Sequence, residues 1–249
     1  MPPLIIYILL VLLGLFTGAL VNYLSDVLPH KRRLAHPFCL KCGNELPVSN
    51  YFVWPRRCPS CNASRHWRVW LVEAAYMLAA FWLWFAPPFE LGFLIGWIVL
   101  ILFGVIVVID MEYRLILHPV SIAGAVLALL FGAYLHGIPR TLIGGAFGFG
   151  IMFLFYFLGN QFIKLMGRLR GEPIDEDALG YGDVNLSGVL GLLIGWDKII
   201  FALFFGIAIG AAVSLVYLVM KALLRKYTLF TAIPYGPFLI AGAMVILYF

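Results

Sequence analysis

The stretch Leu179-Gly180-Tyr181-Gly182-Asp183-Val184-Asn185-Leu186 places a carboxylate at the mouth of an apolar segment. An ionised Asp at the centre of a membrane helix costs about 3 kcal/mol or more, so an acid at the end of such a segment is a candidate functional group. A second acid has the same setting, because the apolar run 105–109 leads directly into Asp110. Two carboxylates in like positions suggest a pair.

The chemistry of such a pair follows from the repulsion between like charges. If the fold brings Asp110 and Asp183 together, repulsion raises the pKa of one of them and leaves a protonated acid beside an ionised base. That arrangement activates water against a peptide carbonyl and predicts aspartic protease chemistry. Gly180 and Gly182 permit positive φ and close backbone approach, so we expect a substrate strand to lie against the loop that carries Asp183.

The composition excludes an ordinary soluble protein. Apolar residues make up 63% of the 249 residues and charged residues only 12%, which is typical of a polytopic membrane protein. The first apolar run, 4–24, has no basic residue before it and no small-residue cleavage site after it, which favours an uncleaved membrane helix in the lipid bilayer. The net charge of +5 is interpreted as a topology signal, and we find no nucleic-acid-binding motif in the sequence.

Eight apolar segments predict an all-α polytopic membrane protein with about eight transmembrane helices in a single membrane domain, 1–249. The segments are 4–28, 70–86, 91–109, 119–135, 141–163, 184–196, 198–221 and 233–249. The sixth, about 13 residues long where about 20 are usual, is too short to span a bilayer alone. We expect it to be a tilted half-helix or a segment packed inside the bundle.

The basic residues predict the orientation. Fifteen of the seventeen Lys and Arg residues fall in the alternate connections 29–69, 110–118, 164–183 and 221–232. Because Lys and Arg concentrate in cytoplasmic loops, this asymmetry places loop 29–69 and both aspartates on the cytoplasmic side. Both termini are then outside.

All four cysteines lie in loop 29–69, as Cys39-x2-Cys42 and Cys58-x2-Cys61 separated by fifteen residues. Two such pairs supply four thiolates to a tetrahedral zinc ion. Disulfides are the alternative, but a loop in the reducing cytoplasm favours zinc. A closed four-thiolate site leaves no open position for catalysis, so the predicted zinc is structural.

With these residues in order, the chain resembles the bacterial type 4 prepilin peptidases over nearly its whole length. The resemblance rests on Gly18-Ala19-Leu20-Val21-Asn22, Leu28-Pro29, the two Cys-x-x-Cys pairs, Arg68-Val69-Trp70-Leu71-Val72-Glu73, Gly180-Tyr181-Gly182-Asp183 and Pro234-Tyr235-Gly236-Pro237. In this order the motifs are specific, and Gly180–Asp183 matches the family's Gly-x-Gly-Asp signature.

The resemblance implies a GxGD-type membrane aspartic endopeptidase of the bacterial inner membrane, with Asp110 and Asp183 as catalytic residues and 91–249 as the peptidase core. It implies cleavage of the basic leader from type 4 prepilins or type II secretion pseudopilins at the cytoplasmic membrane face. It also implies N-methylation of the new N-terminus from S-adenosylmethionine, associated with loop 29–69. For Glu73, pairing with Arg68 and a part in methyl transfer both remain open.

Other acids are interpreted as charges outside the site. Glu112 competes with Asp110 for the catalytic role, but only Asp110 directly follows the apolar run, so Glu112 is interpreted as an exposed loop charge. Asp26 is interpreted as a solvated charge at a segment end. The cluster 172–177 holds four acids, and it is either a solvated loop or a patch that attracts a basic leader peptide.

Two alternative functions use parts of the same pattern. Intramembrane acids also serve proton relays, so a proton-coupled transporter is one alternative. A non-enzymatic zinc-binding assembly factor of a pilus or secretion system is the other, and it needs no placed aspartates.

Overall fold

The structure is a computed structural model that describes residues 3–53, 56–170, 179–223 and 234–249. The acidic cluster 172–177 lies outside the described residues. The helices are α1 (Pro3–Lys31), α2 (Val48–Phe52), α3 (Arg68–Phe85), α4 (Gly92–Tyr113), α5 (His118–His136), α6 (Ile138–Arg170), α7 (Tyr181–Ile194), α8 (Trp196–Leu223) and α9 (Gly236–Tyr248). Across these ranges the chain forms no β-strand, and its extended contacts are the isolated bridges Phe38 to Glu45 and Arg57 to Ser64.

Six helices of the described part are long and apolar enough to cross a membrane, namely α1, α3, α4, α5, α6 and α8. The all-α membrane fold is therefore confirmed. The other two apolar helices are short: α7 has 14 residues and α9 has 13, or about 20 Å of helix against a hydrocarbon core of about 30 Å.

The predicted count of eight spans is not confirmed. Segment 184–196 was expected to be too short, and α7 agrees with that expectation. The last segment, 233–249, was expected to span, but its helix begins at Gly236 because the Pro237 ring suits the first turn of a helix.

The chain divides into two compact units, Met1–Ile109 and Asp110–Phe249. In the first unit α1 packs along α3. Close approach requires glycine at Gly18, because a Cβ there would lie 2.6 Å from Glu73 Cα. The small residues of α1 thus bring its backbone against that of α3, as expected for helices that pack in lipid.

In the second unit α7 lies at the centre, in contact with α5, α6, α8 and α9. A Cβ on Gly191 would overlap the carbonyl oxygen of Gly144 on α6, so this pair of glycines sets the separation of the two helices. Most of α7 is buried, including Leu186, Leu190 and Leu193. This short helix is the core of the unit.

Glycine turns place the candidate site at one end of this unit. α5 ends at Gly137 and α7 at Gly195, with φ values of 85° and 87° that favour glycine. A Cβ on Gly195 would lie 3.1 Å from His136 Nε2, so the C-terminal ends of α5 and α7 are neighbours. Their N-terminal ends, with Asp183, therefore lie at the opposite end of the unit.

Candidate active site

Asp183 lies in the first turn of α7 and its residue is only 8% exposed. The preceding Gly180 is extended, with φ −68°, and neither Gly180 nor Gly182 is among the positive-φ glycines of the described chain. The expected use of positive φ is therefore wrong. A Cβ on Gly182 would lie 2.9 Å from Ile116 Cβ, so glycine at this position lets Ile116 pack closely against the turn.

Asp110 lies in the last turn of α4 and is 4% exposed. Its Oδ2 accepts a hydrogen bond of 3.1 Å from the backbone N–H of Gly236, where α9 begins. A Cβ on Gly236 would lie 2.7 Å from the same oxygen. Any residue larger than glycine at this position therefore requires the carboxylate or the start of α9 to shift.

Three stretches far apart in sequence converge on the two acids. Ile116 fills the space beside both Gly182 and Gly236. The Asp183 carboxylate interacts electrostatically with Asp110 and with Tyr235, the residue before α9. The structure thus brings together Asp110, Asp183 and the Tyr235–Gly236 stretch, as the pairing hypothesis requires.

The surroundings of the pair limit its charge. Within the described residues neither Asp110 nor Asp183 forms an ion pair with Lys, Arg or His. Two buried carboxylates that lie close together favour a state with one shared proton, because a second negative charge is costly. The arrangement can accept a proton at one carboxylate and donate one from the other. Glu112, in contrast, is exposed.

A cavity of about 510 Å³ lies between α5, α6 and α7. Its polar wall is formed by His118, Ser121, Tyr181 and Asn185. Small residues such as Gly145 and Gly188 and larger apolar ones such as Phe149 line the rest. Tyr181 and Asn185 each lie two residues from Asp183 in the sequence, and at about 100° per residue they face away from it around α7. Sequence reasoning missed this cavity, whose only signal was the set of small residues on neighbouring helices.

The four cysteines come together in the first unit. Their Sγ atoms all lie within 4.8 Å of one another, with Cys39 to Cys61 at 3.7 Å and Cys42 to Cys58 at 3.6 Å. Zn–S bonds of about 2.3 Å in a tetrahedron separate the sulfurs by about 3.8 Å, so the donor set fits a zinc ion. All four are free thiols, and the disulfide alternative is not observed.

The two cysteine pairs adopt matching turns. The N–H of Gly43 donates to the carbonyl of Cys39, and the N–H of Asn62 donates to the carbonyl of Cys58, each at 2.8 Å. Gly43 and Asn62 both have positive φ, which Gly and Asn tolerate. A backbone hydrogen bond from Cys61, assisted by one from Ser60, lowers the pKa of the Cys58 thiol to about 6, which favours the thiolate that binds metal.

Asp26 is not the solvated charge that the sequence suggested, since it is only 3% exposed. Its Oδ2 accepts hydrogen bonds from Arg65 Nη2 at 2.7 Å and from the Tyr51 hydroxyl at 2.6 Å. Arg68 pairs with Oδ1. The interpretation was wrong because three partners from beyond the end of α1, which no local pattern shows, replace water around this acid.

Glu73 is likewise buried, at 3% exposure, and its Oε2 pairs with Arg56 Nη1 at 2.9 Å. Of the two roles left open for Glu73, an ion pair with Arg68 is not observed, because Arg68 is bound to Asp26. The other oxygen, Oε1, has no hydrogen-bond partner among the described residues, and neither has the buried Asn22 Oδ1. Both belong to the interface of α1 with α3.

The fold and the site define a class: a multi-pass helical membrane protein with a buried carboxylate pair and a four-cysteine cluster. Residues 97–215 match the model of the Type IV leader peptidase family, and residues 12–86 match that of the Bacterial Peptidase A24 N-terminal domain. Together the two models match most of the chain, which belongs to the type IV leader peptidase family. Because both models describe peptidases, the two alternative functions, a proton-coupled transporter and a non-enzymatic assembly factor, are rejected.

Three relatives share the name prepilin leader peptidase/N-methyltransferase. The protein of Pseudomonas aeruginosa is 25% identical over 99% of this chain and 91% of its own. That of Vibrio cholerae is 22% identical over 97% of this chain and 96% of its own, and that of Stutzerimonas stutzeri is 26% identical over 89% and 72%. No solved structure matches the chain.

Proposed function

We propose that this chain cleaves the basic leader peptide from type 4 prepilins or type II secretion pseudopilins, with Asp110 and Asp183 as its catalytic pair. The observation that carries the proposal is the meeting of these two buried acids beside the Gly236 N–H. The names of the relatives support prepilins as the substrate class.

The reaction needs only the two carboxylates and water. The ionised carboxylate takes a proton from a water molecule as that water attacks the scissile carbonyl carbon, while the protonated carboxylate donates to the carbonyl oxygen. The tetrahedral intermediate then collapses as the leaving amine receives a proton from the pair. The N–H of Gly236 keeps Asp110 in position throughout.

Cleavage at the cytoplasmic face is supported by charge. The connections that flank the two aspartates belong to the set that carries fifteen of the seventeen Lys and Arg residues, and such residues stay on the cytoplasmic side. A leader that carries Lys or Arg is also retained on that side.

The experiment is cleavage of a synthetic peptide that joins a basic leader to an apolar segment, by the purified protein in detergent. A single cut at the junction is expected. Intact peptide after prolonged incubation with protein that is folded by circular dichroism contradicts the proposal.

Structural zinc on Cys39, Cys42, Cys58 and Cys61 is part of the proposal, supported by the fit of the four thiols. The ion would cross-link a loop with a small apolar core, formed by Cys39, Leu46, Tyr51 and Cys58. Atomic absorption should find one zinc ion per chain. Protein that has been purified under reducing conditions and carries no zinc contradicts this part of the proposal.

N-methylation of the new N-terminus is proposed as a second step, supported by the names of the relatives. The buried acceptors Glu73 Oε1 and Asn22 Oδ1 fit a cationic group, such as the substrate ammonium or the sulfonium of S-adenosylmethionine, which would supply the methyl group. Glu73→Gln should reduce methylation of the product, read by mass, and leave its cleavage intact. Equal methylation by this variant would remove Glu73 from the step.

A further inference from the structure

Two arginines flank the second cysteine pair at matching positions. The turn that carries Cys58 and Cys61 is closed by the bridge from Arg57 to Ser64, and the residues just outside that bridge are Arg56 and Arg65. We name residues 56–65 the second knuckle. Both flanking arginines reach buried acids on membrane helices, Arg56 to Glu73 on α3 and Arg65 to Asp26 on α1.

Each guanidinium is held by more than its ion pair. Arg65 Nη1 donates to the Tyr51 carbonyl at 3.2 Å, and its guanidinium lies 3.8 Å from the centre of the Tyr51 ring. Arg56 donates to the carbonyls of Phe52 at 3.0 Å and Val53 at 3.2 Å, and lies 4.5 Å from the Trp70 ring. These fixed geometries depend on where the knuckle places the backbone of residues 56 and 65.

Burial makes the two pairs costly to open. The acid side chains are 4% exposed, and Arg56 and Arg65 are 13% and 12% exposed. When Arg56 is withdrawn, the buried Glu73 carboxylate is left without its cation, which is strongly destabilising. Asp26 keeps its ion pair with Arg68 when Arg65 is withdrawn, so this second contact is the less costly of the two to open. Anything that loosens the knuckle therefore acts on the packing of α1 and α3.

A small polar loop gains its fold from metal binding, so a metal held by the four cysteines would be the main constraint on the knuckle. We propose that the second knuckle is a metal-dependent clasp. In this clasp, metal binding at the four cysteines holds Arg56 in its ion pair with the buried Glu73 and Arg65 in its ion pair with the buried Asp26. This inference rests on the proposed metal site. Coupling between two sites is reciprocal, so the ion pairs must strengthen metal binding by the factor with which the metal strengthens them.

The first test measures the dissociation constant of zinc by competition with a chromogenic chelator. Arg56→Gln and Arg65→Gln should bind zinc about 5- to 150-fold more weakly than the wild type, the range of typical coupling between sites. The matched control is Arg57→Gln, which changes an exposed arginine in the same turn and should bind zinc as tightly as the wild type. Equal dissociation constants for all three variants would overturn the clasp.

The second test uses the unaltered protein and so does not depend on whether the variants fold. Chelation should make the bonds after Arg56 and Arg65 open to trypsin, and zinc should protect them again, whereas cleavage after the exposed Arg33 should not change. Unchanged cleavage at Arg56 and Arg65 contradicts the clasp. A wild-type protein that carries no metal contradicts the proposed zinc site itself. A wild-type protein that carries metal, but whose Arg56→Gln and Arg65→Gln variants hold zinc as tightly as it does, contradicts the clasp alone.

Discussion

Gly236 is the residue whose replacement most directly disturbs the carboxylate pair without removing an acid. A Cβ at this position would lie 2.7 Å from Asp110 Oδ2, well inside van der Waals contact, so Gly236→Ala must displace either the carboxylate or the start of α9. A displacement of about 1 Å in a catalytic group costs about 100-fold in rate. We expect a loss of that size in kcat on the leader peptide.

Gly150→Ala is the matched control, because a Cβ on Gly150 has no neighbour within 4 Å. It should cleave the peptide at the wild-type rate. If Gly236→Ala is as active as Gly150→Ala, the Gly236 N–H does not position the reacting group.

Asp26 provides a test of buried charge at the same scale. Asp26→Asn leaves Arg65 and Arg68 without their carboxylate, and breaking a buried pair costs about 3–5 kcal/mol. The thermal unfolding temperature in detergent should fall clearly below that of Glu45→Gln, which changes an exposed acid in loop 29–69. Equal unfolding temperatures would mean that the Asp26 network adds nothing to stability.

The residues of the candidate site were predictable to different degrees. Asp110 and Asp183 can be predicted from the sequence because each lies at the end of an apolar run. The cysteines can be predicted from their spacing. The part played by Gly236 was not predictable, because a backbone N–H leaves no mark in the side-chain pattern. Asp26 was misjudged, and the cation that pairs with Glu73 was not predictable, for a related reason: their partners Arg65 and Arg56 belong to a loop whose path the sequence does not define.

Among the helices, α7 carries Asp183, and the contact of α7 with α6 fixes the position of that residue. Gly191→Ala would press a methyl group into the Gly144 carbonyl, and overpacking of this kind costs about 1–3 kcal/mol. We expect a lower unfolding temperature for Gly191→Ala than for Gly150→Ala, which adds its methyl group to open space on α6. The same unfolding temperature for both would show that the helices can separate without loss.

The apolar runs of the sequence predict that the membrane helices exist, but they do not predict how long each helix is. Proline and glycine fixed some ends, such as the start of α9 near Pro237 and the stop of α7 at Gly195. The predicted segment 141–163 is only part of α6, which continues to Arg170. Hydropathy identifies the part of a helix that lies in lipid. It therefore does not detect the part of a helix that continues beyond the apolar run.

At the scale of the whole molecule, the distribution of charge predicts orientation. With both termini outside, alkaline phosphatase fused after Phe249 should be active, and the same reporter inserted in loop 29–69 should be inactive. The physical reason is that the fifteen clustered basic residues resist transfer across the membrane. An inactive fusion at Phe249 with an active one in the loop would reverse the orientation and move both aspartates to the outer face.

The central claim for the whole enzyme is that Asp110 and Asp183 act as one catalytic unit. The most direct measurement is kcat of purified Asp110→Asn, Asp183→Asn and the double variant on a leader-bearing peptide, with Glu112→Gln as the control for an exposed neighbouring acid. Each Asp variant should lose at least about 100-fold, the double variant should be little worse than either single one because the two groups act together, and Glu112→Gln should remain active. Wild-type turnover by either single Asp variant, inserted in the membrane and folded, would contradict the account.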